Sequence, residues 1–297
     1  MATPRPTLAQ LQCFIAVCDS GSFNEAAAST GMSQSTLSEA VKTLEKHLGV
    51  PLLHRNRQGV TLTTAGARAL EHARAALLAV EDFTQSALNP GELTGTVRIV
   101  SLRSAAARIL PEVLLKLRHD HPNLKIHIME NESQVAAGET MLLQGEADLG
   151  LLPHPPSHPL LSRPIYQDEW VAVYSRNRKH KPRTWADYHH QTFLMNGGAP
   201  GTIQQIRQVF AEHGVQSPDI QEFQDDTVLL AMSEHDLGIT LLPQLAVGHL
   251  PDTLEYATLP DTLLRTIGLM VLPRRSSLPA LQVVMGMILQ AQDSRKA

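Results

Sequence analysis

Cysteine is scarce in this 297-residue sequence, with Cys13 and Cys18 as its two thiols. Their spacing fits neither a metal site nor a redox pair, which predicts a reducing compartment and excludes a thiol-based sensor beyond residue 18. No run of eighteen apolar residues is present, so we expect no membrane span and no membrane partner. No apolar segment with a small-residue cleavage site follows the first residues, so a cytoplasmic protein is expected.

Positive charge is scarce as well. The sequence holds 25 Lys and Arg against 29 Asp and Glu, and residues 1–93 hold seven basic against eight acidic residues. This balance lacks the overall positive charge of a basic nucleic-acid-binding module. Any DNA binding must therefore use local cations, and few phosphate contacts per chain would require several chains on one duplex. The length allows one small and one larger domain, with the 43% hydrophobic content of a globular protein.

Residues 22–62 predict a short helix, a tight turn, a second helix and a basic two-stranded loop. Ser22 and Glu25 have the spacing of a capping box at the first helix. Gly31 provides the backbone freedom that a helix end requires. Ser33 can cap the second helix. This order of elements is that of a winged helix-turn-helix.

The second helix is predicted to be amphipathic. Its apolar residues recur at helical spacing, and the opposite face is polar. A helix with amide and hydroxyl groups near its N-terminus suits the base edges of the major groove. The apolar residues are Leu37, Val41, Leu44 and Leu48, and the predicted DNA-binding residues are Ser33, Gln34, Ser35, Thr36, Ser38 and Lys42 on this helix and Arg55 and Arg57 on the loop.

Residues 7–67 resemble the winged helix-turn-helix of the LysR-type transcriptional regulators. The alternative is a helical hairpin within an unrelated core. The matching segments include Gly21-Ser22-Phe23, Ala26-Ala27, Ser33-Gln34-Ser35-Thr36-Leu37-Ser38, Leu48-Gly49-Val50-Pro51-Leu52 and Leu62-Thr63-Thr64-Ala65-Gly66.

A long helix over 65–88 is predicted next. Leu70, Leu77 and Val80 belong to a heptad-like apolar seam, with Thr84 as its polar break. Such a helix spans roughly 35 Å. A seam of that length must be buried against a partner, so we expect a dimerisation helix, followed by a hinge that ends at residue 95.

From residue 96 strands alternate with helices, which predicts a parallel-rich α/β domain. The predicted strands are 97–102, 125–129, 149–152, 164–174, 219–223, 238–242 and 265–272, and the predicted helices are 104–118, 135–144, 201–212, 226–233 and 278–290. We expect domains at 1–64 (winged helix-turn-helix), 65–93 (linker helix and hinge) and 94–297. The last divides into a first lobe, about 94–163 and 265–297, and a second lobe, about 164–264. The fold class is therefore α/β with an N-terminal winged helix-turn-helix and a long linker helix.

The segment 94–297 also resembles the LysR type, in its two-lobed effector-binding domain with a fold like that of periplasmic solute-binding proteins. One departure is Asp236, where the family commonly has glycine. Asp tolerates a left-handed backbone better than most residues, so the turn can be kept. The matching segments include Gly95-Thr96-Val97-Arg98-Ile99, Leu110-Pro111, Gly145-Glu146-Ala147-Asp148-Leu149-Gly150 and Gly238-Ile239-Thr240-Leu241-Leu242-Pro243.

Ligands of open α/β sheets bind beyond the carboxyl ends of the strands, at helix N-termini. The resemblance places Ser104, Ser133 and Thr202 near the effector, and Arg103 would favour an organic anion if it turns inward. The alternative is that Ser104 and Thr202 only cap helices and Arg103 is solvated. The expected effector-binding residues are Arg103, Ser104, Asn131, Ser133, Gly201 and Thr202.

Metal and catalytic sites are not expected. The pairs His154 and His158, His119 and His121, and His189 and His190 lie in loops without the spacing of metal ligands. No nucleophile elbow, phosphate-binding loop or zinc-protease motif occurs. No cofactor other than the effector is therefore expected, and an enzyme of the solute-binding fold has no motif in its support.

The sequence thus predicts a regulator that binds promoter or operator DNA and responds to a small effector between its lobes. The family implies a homodimer that assembles to a tetramer, and it allows contact with RNA polymerase. The alternative is a soluble small-molecule-binding protein whose N-terminal helices serve only for assembly. Effector, operator and the choice between activation and repression are not specified by the sequence.

Overall fold

The computed structural model describes residues 5–56, 59–87, 93–130, 135–197, 200–216, 218–248 and 250–296. The chain forms two compact units, Met1–Leu88 and Asn89–Ala297. Within the described ranges no helix is long and apolar enough to cross a membrane.

The first unit begins with helix α1 Leu8–Ser20, and the predicted elements follow in the predicted order: α2 Phe23–Thr30, α3 Gln34–Leu48, β1 Leu53–Asn56, β2 Gly59–Leu62 and α4 Thr64–Ser86. Ser22 accepts from the backbone N–H of Glu25 over 3.1 Å, and Ser33 accepts from that of Thr36 over 3.1 Å. Gly31 has φ +69° as the C-cap of α2. The predicted capping box at Ser22 is only half formed among the described contacts, because Glu25 is not seen to bond back. A complete box lies at α1 instead, between Thr7 and Gln10.

The core of the first unit packs the apolar face of α3 against α1, α2 and the start of α4. Leu37 and Val41 are fully buried, and Leu44 nearly so. The prediction that Leu48 belongs to this buried apolar face was wrong, because Leu48 lies in the last turn of α3 and is 43% exposed. Gly66 allows α4 to pass close to the backbone, since a Cβ there would lie 2.0 Å from the carbonyl oxygen of Leu52.

The predicted seam of α4 divides into two parts. Leu70 packs against the core of its own unit, together with buried Ala73. It is therefore not exposed for a partner as the heptad pattern suggested. Farther along the helix, Leu77 is half-buried, Val80 is 41% exposed and Phe83 is 75% exposed.

Among the described residues of the second unit, a nine-stranded mixed sheet is flanked by helices. Its strand order is β4-β3-β5-β11-β6-β9-β7-β8, with β10 paired to β6. The strands are β3 Gly95–Ser101, β4 Leu124–Glu130, β5 Leu149–Pro153, β6 Leu161–Ser175, β7 Thr192–Asn196, β8 Asp219–Phe223, β9 Ile239–Pro243, β10 Leu254–Thr258 and β11 Leu264–Val271. The helices are α5 Arg103–Asp120, α6 Val135–Gln144, α7 Pro200–Glu212, α8 Asp226–Glu234, α9 Gln244–Val247 and α10 Pro279–Lys296, with 3-10 turns at Trp185–Tyr188 and Pro273–Arg275.

The second unit has two lobes joined by one long strand. The first part of β6 pairs with β11 beside the parallel strands β3, β4 and β5, whereas its last part pairs with β9 and β10. Each lobe has its own core, one around Ile109 and Ile267 and the other around Phe193 and Phe210. Strands β7 and β10 and helix α9 were not among the predicted elements.

Candidate nucleic-acid interface and ligand cleft

The outward face of α3 carries the predicted polar residues. Gln34, Ser35 and Thr36 are exposed, while Ser38 is half-buried. The hydroxyl of Ser33 lies 2.8 Å from those of both Ser35 and Thr36, so these three form a small network at the start of the helix. Because Ser33 also caps α3, its oxygen is already engaged. Gln34 is left as the long exposed amide of this face.

The wing is the hairpin of β1 and β2, which pair in antiparallel register from Leu53 with Leu62 to Asn56 with Gly59. The Val60 N–H donates to the carbonyl of Gly21 over 2.8 Å, which fixes the wing to the turn before α2. Arg57, one of the predicted DNA-binding residues, lies outside the described residues. Lys42 on α3 is exposed.

Arg55 is exposed on β1 but held by two neighbours. Its Nη1 donates to Ser38 Oγ over 2.9 Å. Its Cζ lies 4.4 Å from the centroid of the Phe23 ring, at the first position of α2. The sequence analysis assigned Arg55 to the loop and Ser38 to the helix, without a contact between them. In the structure the two side chains are hydrogen-bonded.

In the second unit Arg103 lies between carboxylates of different elements. Its Nε is 3.4 Å from Glu130, at the end of β4, and its Nη1 is 3.4 Å from Asp225, the N-cap of α8. The pKa of Asp225 lies below its usual value, mainly because the hydroxyl and the N–H of Thr227 donate to it, with Arg103 adding to the effect. The Arg103 side chain is 41% exposed, so it is partly solvated while it bridges the two lobes at the carboxyl ends of their strands.

Ser104 takes part in a partly buried polar cluster. It is not the cap of α5, because the N-cap is Leu102. Instead its Oγ accepts from Arg265 Nη2 over 2.7 Å, and Arg265 Nε donates to Asp168 over 2.8 Å. Burial lowers the pKa of Arg265, and the Asp168 carboxylate opposes that shift. Asp168 also accepts the backbone N–H of Leu245 over 2.9 Å, so the cluster is well satisfied.

The remaining predicted ligand residues are only partly described. Asn131 and Ser133 lie outside the described residues, and so do the side chain of Thr202 and the surroundings of Gly201, although both belong to helix α7. Nearby, Asn196 Nδ2 donates to Asp226 over 2.9 Å at the carboxyl end of β7.

Arg265, Asp168 and Asp225 were not singled out from the sequence. Asp168 and Arg265 occupy β6 and β11, paired strands that are otherwise apolar at many positions. Asp168 is buried and therefore requires a partner, because an unpaired buried charge is costly. Its neighbours Gln167 and Glu169 are polar, however, so the pattern around it carries no signal that this carboxylate is buried.

The histidines have structural partners. Nδ1 of His158 lies 2.6 Å from Glu139, a fully buried carboxylate that also accepts the N–H groups of Ser157 and His158. His154 Nδ1 lies 2.8 Å from Ser162 Oγ. In the part of the chain that the structure describes, no group of three or more His, Cys, Asp or Glu could hold a metal ion.

Comparison with protein families gives two matches. Residues 8–67 match the bacterial regulatory helix-turn-helix protein of the lysR family, and residues 90–293 match the LysR substrate binding domain. A relative described as the probable HTH-type transcriptional regulator LrrA of Synechococcus elongatus is 31% identical over 293 residues, which are 98% of this chain and 99% of that protein.

Solved structures give the same fold. A hydrogen-peroxide-bound cysteine-to-serine mutant of OxyR from Corynebacterium glutamicum is 26% identical, with TM-score 0.60 over 98% of this chain and 94% of that one. A full-length OxyR mutant from Pseudomonas aeruginosa is 20% identical, with TM-score 0.72 over 96% of this chain and 98% of that one, and it supports the fold alone.

Proposed function

The chain belongs to the LysR family of DNA-binding transcriptional regulators with an effector-binding domain, and we propose which residues perform each task. The alternative of N-terminal helices that serve only for assembly is set aside, because residues 8–67 match the family's DNA-binding domain. We further propose functional domains at 1–64, 65–93 and 94–297. The protein acts by binding, without catalysis, in the cytoplasm where its DNA lies.

One observation carries the proposed DNA contact: α3 buries Leu37 and Val41 completely while Gln34 on its other face is exposed. Such a helix fits the major groove with its N-terminal residues on base edges. Gln34 and Ser38 recognise bases, with Ser33, Ser35 and Thr36 beside them at the start of the helix. The cations Lys42, Arg55 and Arg57 contact phosphate or the adjacent minor groove.

Gln34→Ala tests this assignment. The full chain first selects a duplex from a random pool, and anisotropy then measures binding to that duplex and to a scrambled one. We expect a loss of about 1–3 kcal/mol on the selected duplex and little change on the scrambled one. The control is Gln208→Ala, the same substitution at an exposed position of α7. Equal losses on both duplexes would remove Gln34 from base recognition.

We also propose that α4 joins two chains and that two dimers form the tetramer. Support comes from the apolar part of α4 at half-buried Leu77 and exposed Val80 and Phe83. Leu70 contributes by fixing α4 to its own unit. RNA polymerase is a further proposed partner of the assembled regulator on DNA.

Leu77→Glu should shift the assembly towards monomers, because two charges buried in an apolar contact cost several kcal/mol. Mass photometry over a dilution series measures the dimer population. Ala79→Glu adds the same charge two residues away at an exposed position and should leave the dimer intact. An unchanged mass for Leu77→Glu with normal DNA affinity would place the dimer contact elsewhere.

For the effector we propose a small organic anion held between the lobes by Ser104, Arg103 and the N-terminus of α7 with Gly201 and Thr202, beside Asn131 and Ser133. The support is that Ser104 and Arg103 lie at the carboxyl edge where both lobes meet. Closure of the lobes around the anion would change the geometry of the assembly and of its DNA. A thermal-shift screen of small carboxylates and amines on the full chain tests the class: stabilisation by amines alone would refute the anion.

A further inference from the structure

Arg55 connects the wing with both helices of the helix-turn-helix. Its guanidinium stacks on Phe23 of α2 at 4.4 Å and donates to Ser38 of α3 over 2.9 Å. We propose that Arg55 determines sequence specificity: held by Phe23, it forms with Ser38 one preformed unit that contacts base edges. For Arg55 this replaces the contact with phosphate or the minor groove that is proposed above, and it rests on the proposed placement of α3 in the major groove.

The first step concerns order before DNA binds. A free arginine side chain samples many rotamers, and this freedom is lost when it is fixed in a complex. The contact with the Phe23 ring and the hydrogen bond to Ser38 both restrict the guanidinium before DNA binds. Because Arg55 is already immobilised, less entropy is lost when the complex forms.

The second step concerns the hydroxyl of Ser38. Its oxygen accepts from Arg55, and none of the described contacts engages its hydrogen. Ser38 is therefore set to donate, as are the remaining N–H groups of Arg55. A pair of donors fits acceptors such as guanine O6 and N7, and not the amino group of cytosine.

The third step concerns charge. Among the described residues no carboxylate pairs with Arg55. Its charge thus serves phosphate attraction while its fixed plane serves base recognition. Lysine would keep the first property and lose the second, since an ammonium has neither a planar fork nor a stacking face.

Arg55→Lys separates the two properties. On the selected duplex we expect an affinity loss of about tenfold or more, the size of one lost base contact. On the scrambled duplex, affinity and salt dependence should change less than about twofold, because the charge remains. Arg68→Lys, at an exposed position of α4, should change neither.

Phe23→Leu tests the role of the ring as a positioning group. It should lower the ratio of selected to scrambled affinity in the wild-type background and add nothing to Arg55→Lys, as a double-mutant cycle would reveal. Phe14→Leu is the control for stability, because Phe14 is fully buried in the same core. It should lower the melting temperature and leave the ratio unchanged.

Equal losses on both duplexes for Arg55→Lys, or no loss on the selected one, would overturn the proposal and leave Arg55 a phosphate contact. Additive effects of Phe23→Leu and Arg55→Lys would overturn the positioning by Phe23. Failure of the underlying placement of α3 is recognised separately, since Gln34→Ala would then weaken both duplexes alike.

Discussion

The two candidate sites hold their cations in different ways. On the first unit Arg55 and Lys42 are exposed, and within the described residues neither pairs with a carboxylate. In the second unit Arg103 lies 3.4 Å from both Glu130 and Asp225, and Arg265 lies 2.7 Å from Asp168. The candidate DNA-binding surface therefore presents cations that pair with no carboxylate among the described residues. The cations of the candidate ligand cleft are instead paired with carboxylates.

The difference fits the ligands that we propose for the two sites. DNA is a polyanion, and unpaired cations on a surface release its counterions on contact, which makes binding strongly salt-dependent. An anion that enters the cleft must instead compete with carboxylates that belong to the protein. Because Arg103 is on α5 of the first lobe and Asp225 caps α8 of the second, such competition would change a contact between the lobes. The proposed anion would thereby link its charge to the geometry of the lobes.

The largest effect is expected from removing the carboxylate that pairs with Arg265. Asp168→Ala leaves Arg265 without its carboxylate, and breaking a buried pair costs about 3–5 kcal/mol. Since Asp168 is fully buried but the Arg265 side chain is 21% exposed, we expect the lower end of that range. Urea unfolding of the full chain, followed by fluorescence of Trp170 and Trp185 in the second unit, measures it. 

Asp252→Ala, at an exposed position, is the control and should stay within about 0.5 kcal/mol. If Asp168→Ala unfolded at the same urea concentration as the control, the Arg265 charge would not depend on its carboxylate. The contrast between the two sites would then be lost.

Ser104→Ala has the next largest effect. A hydrogen bond to a charged ligand is worth about 1.5–3 kcal/mol, so effector affinity should fall roughly ten- to a hundredfold. DNA affinity without effector should hardly change. Calorimetry with a carboxylate found in the thermal screen measures it, and Ser276→Ala is the control because that hydroxyl bonds within its own turn. Wild-type affinity in Ser104→Ala would move the site away from the start of α5.

The first unit was predictable because its signals are local. Ser33 caps α3 three residues before the N–H that it accepts, and Gly31 ends α2 with a left-handed backbone. The turn at Asp236 was likewise expected, and its φ of +57° confirms that aspartate keeps it. The wrong predictions concern burial. Leu48 has the helical spacing of the apolar face, but spacing alone did not reveal that the last turn of α3 is exposed.

The residues of the candidate ligand cleft could not be predicted from local sequence signals. Ser104 and Arg265 are 161 residues apart, and no periodicity connects them. Strand β7 was missed because three buried residues, Phe193 to Met195, are too few to show an alternating pattern. The contact of Arg55 with Ser38 was missed for the same reason: a wing and a helix were each predicted, but not the distance between them.

The smallest expected effect concerns the pair that joins the lobes. The pKa of Asp225 is depressed in the folded chain, first by the hydrogen bonds that Thr227 donates and then by Arg103. Its charge therefore stabilises the fold above the unfolded pKa of about 3.9 and loses that effect as the pH falls through the folded value. Both partners are more than two-fifths exposed, so the contribution is small and weakened by salt. Asp225→Asn should therefore melt slightly below wild type at pH 7 in low salt, and the gap should close below pH 4, whereas Asp252→Asn should show no gap. A gap that persists unchanged to pH 3 would mean that Asp225 acts through its neutral hydrogen bonds at the cap of α8. The ion pair between Arg103 and Asp225 would then contribute nothing measurable to stability, and an entering anion would have no ion pair between the lobes to break.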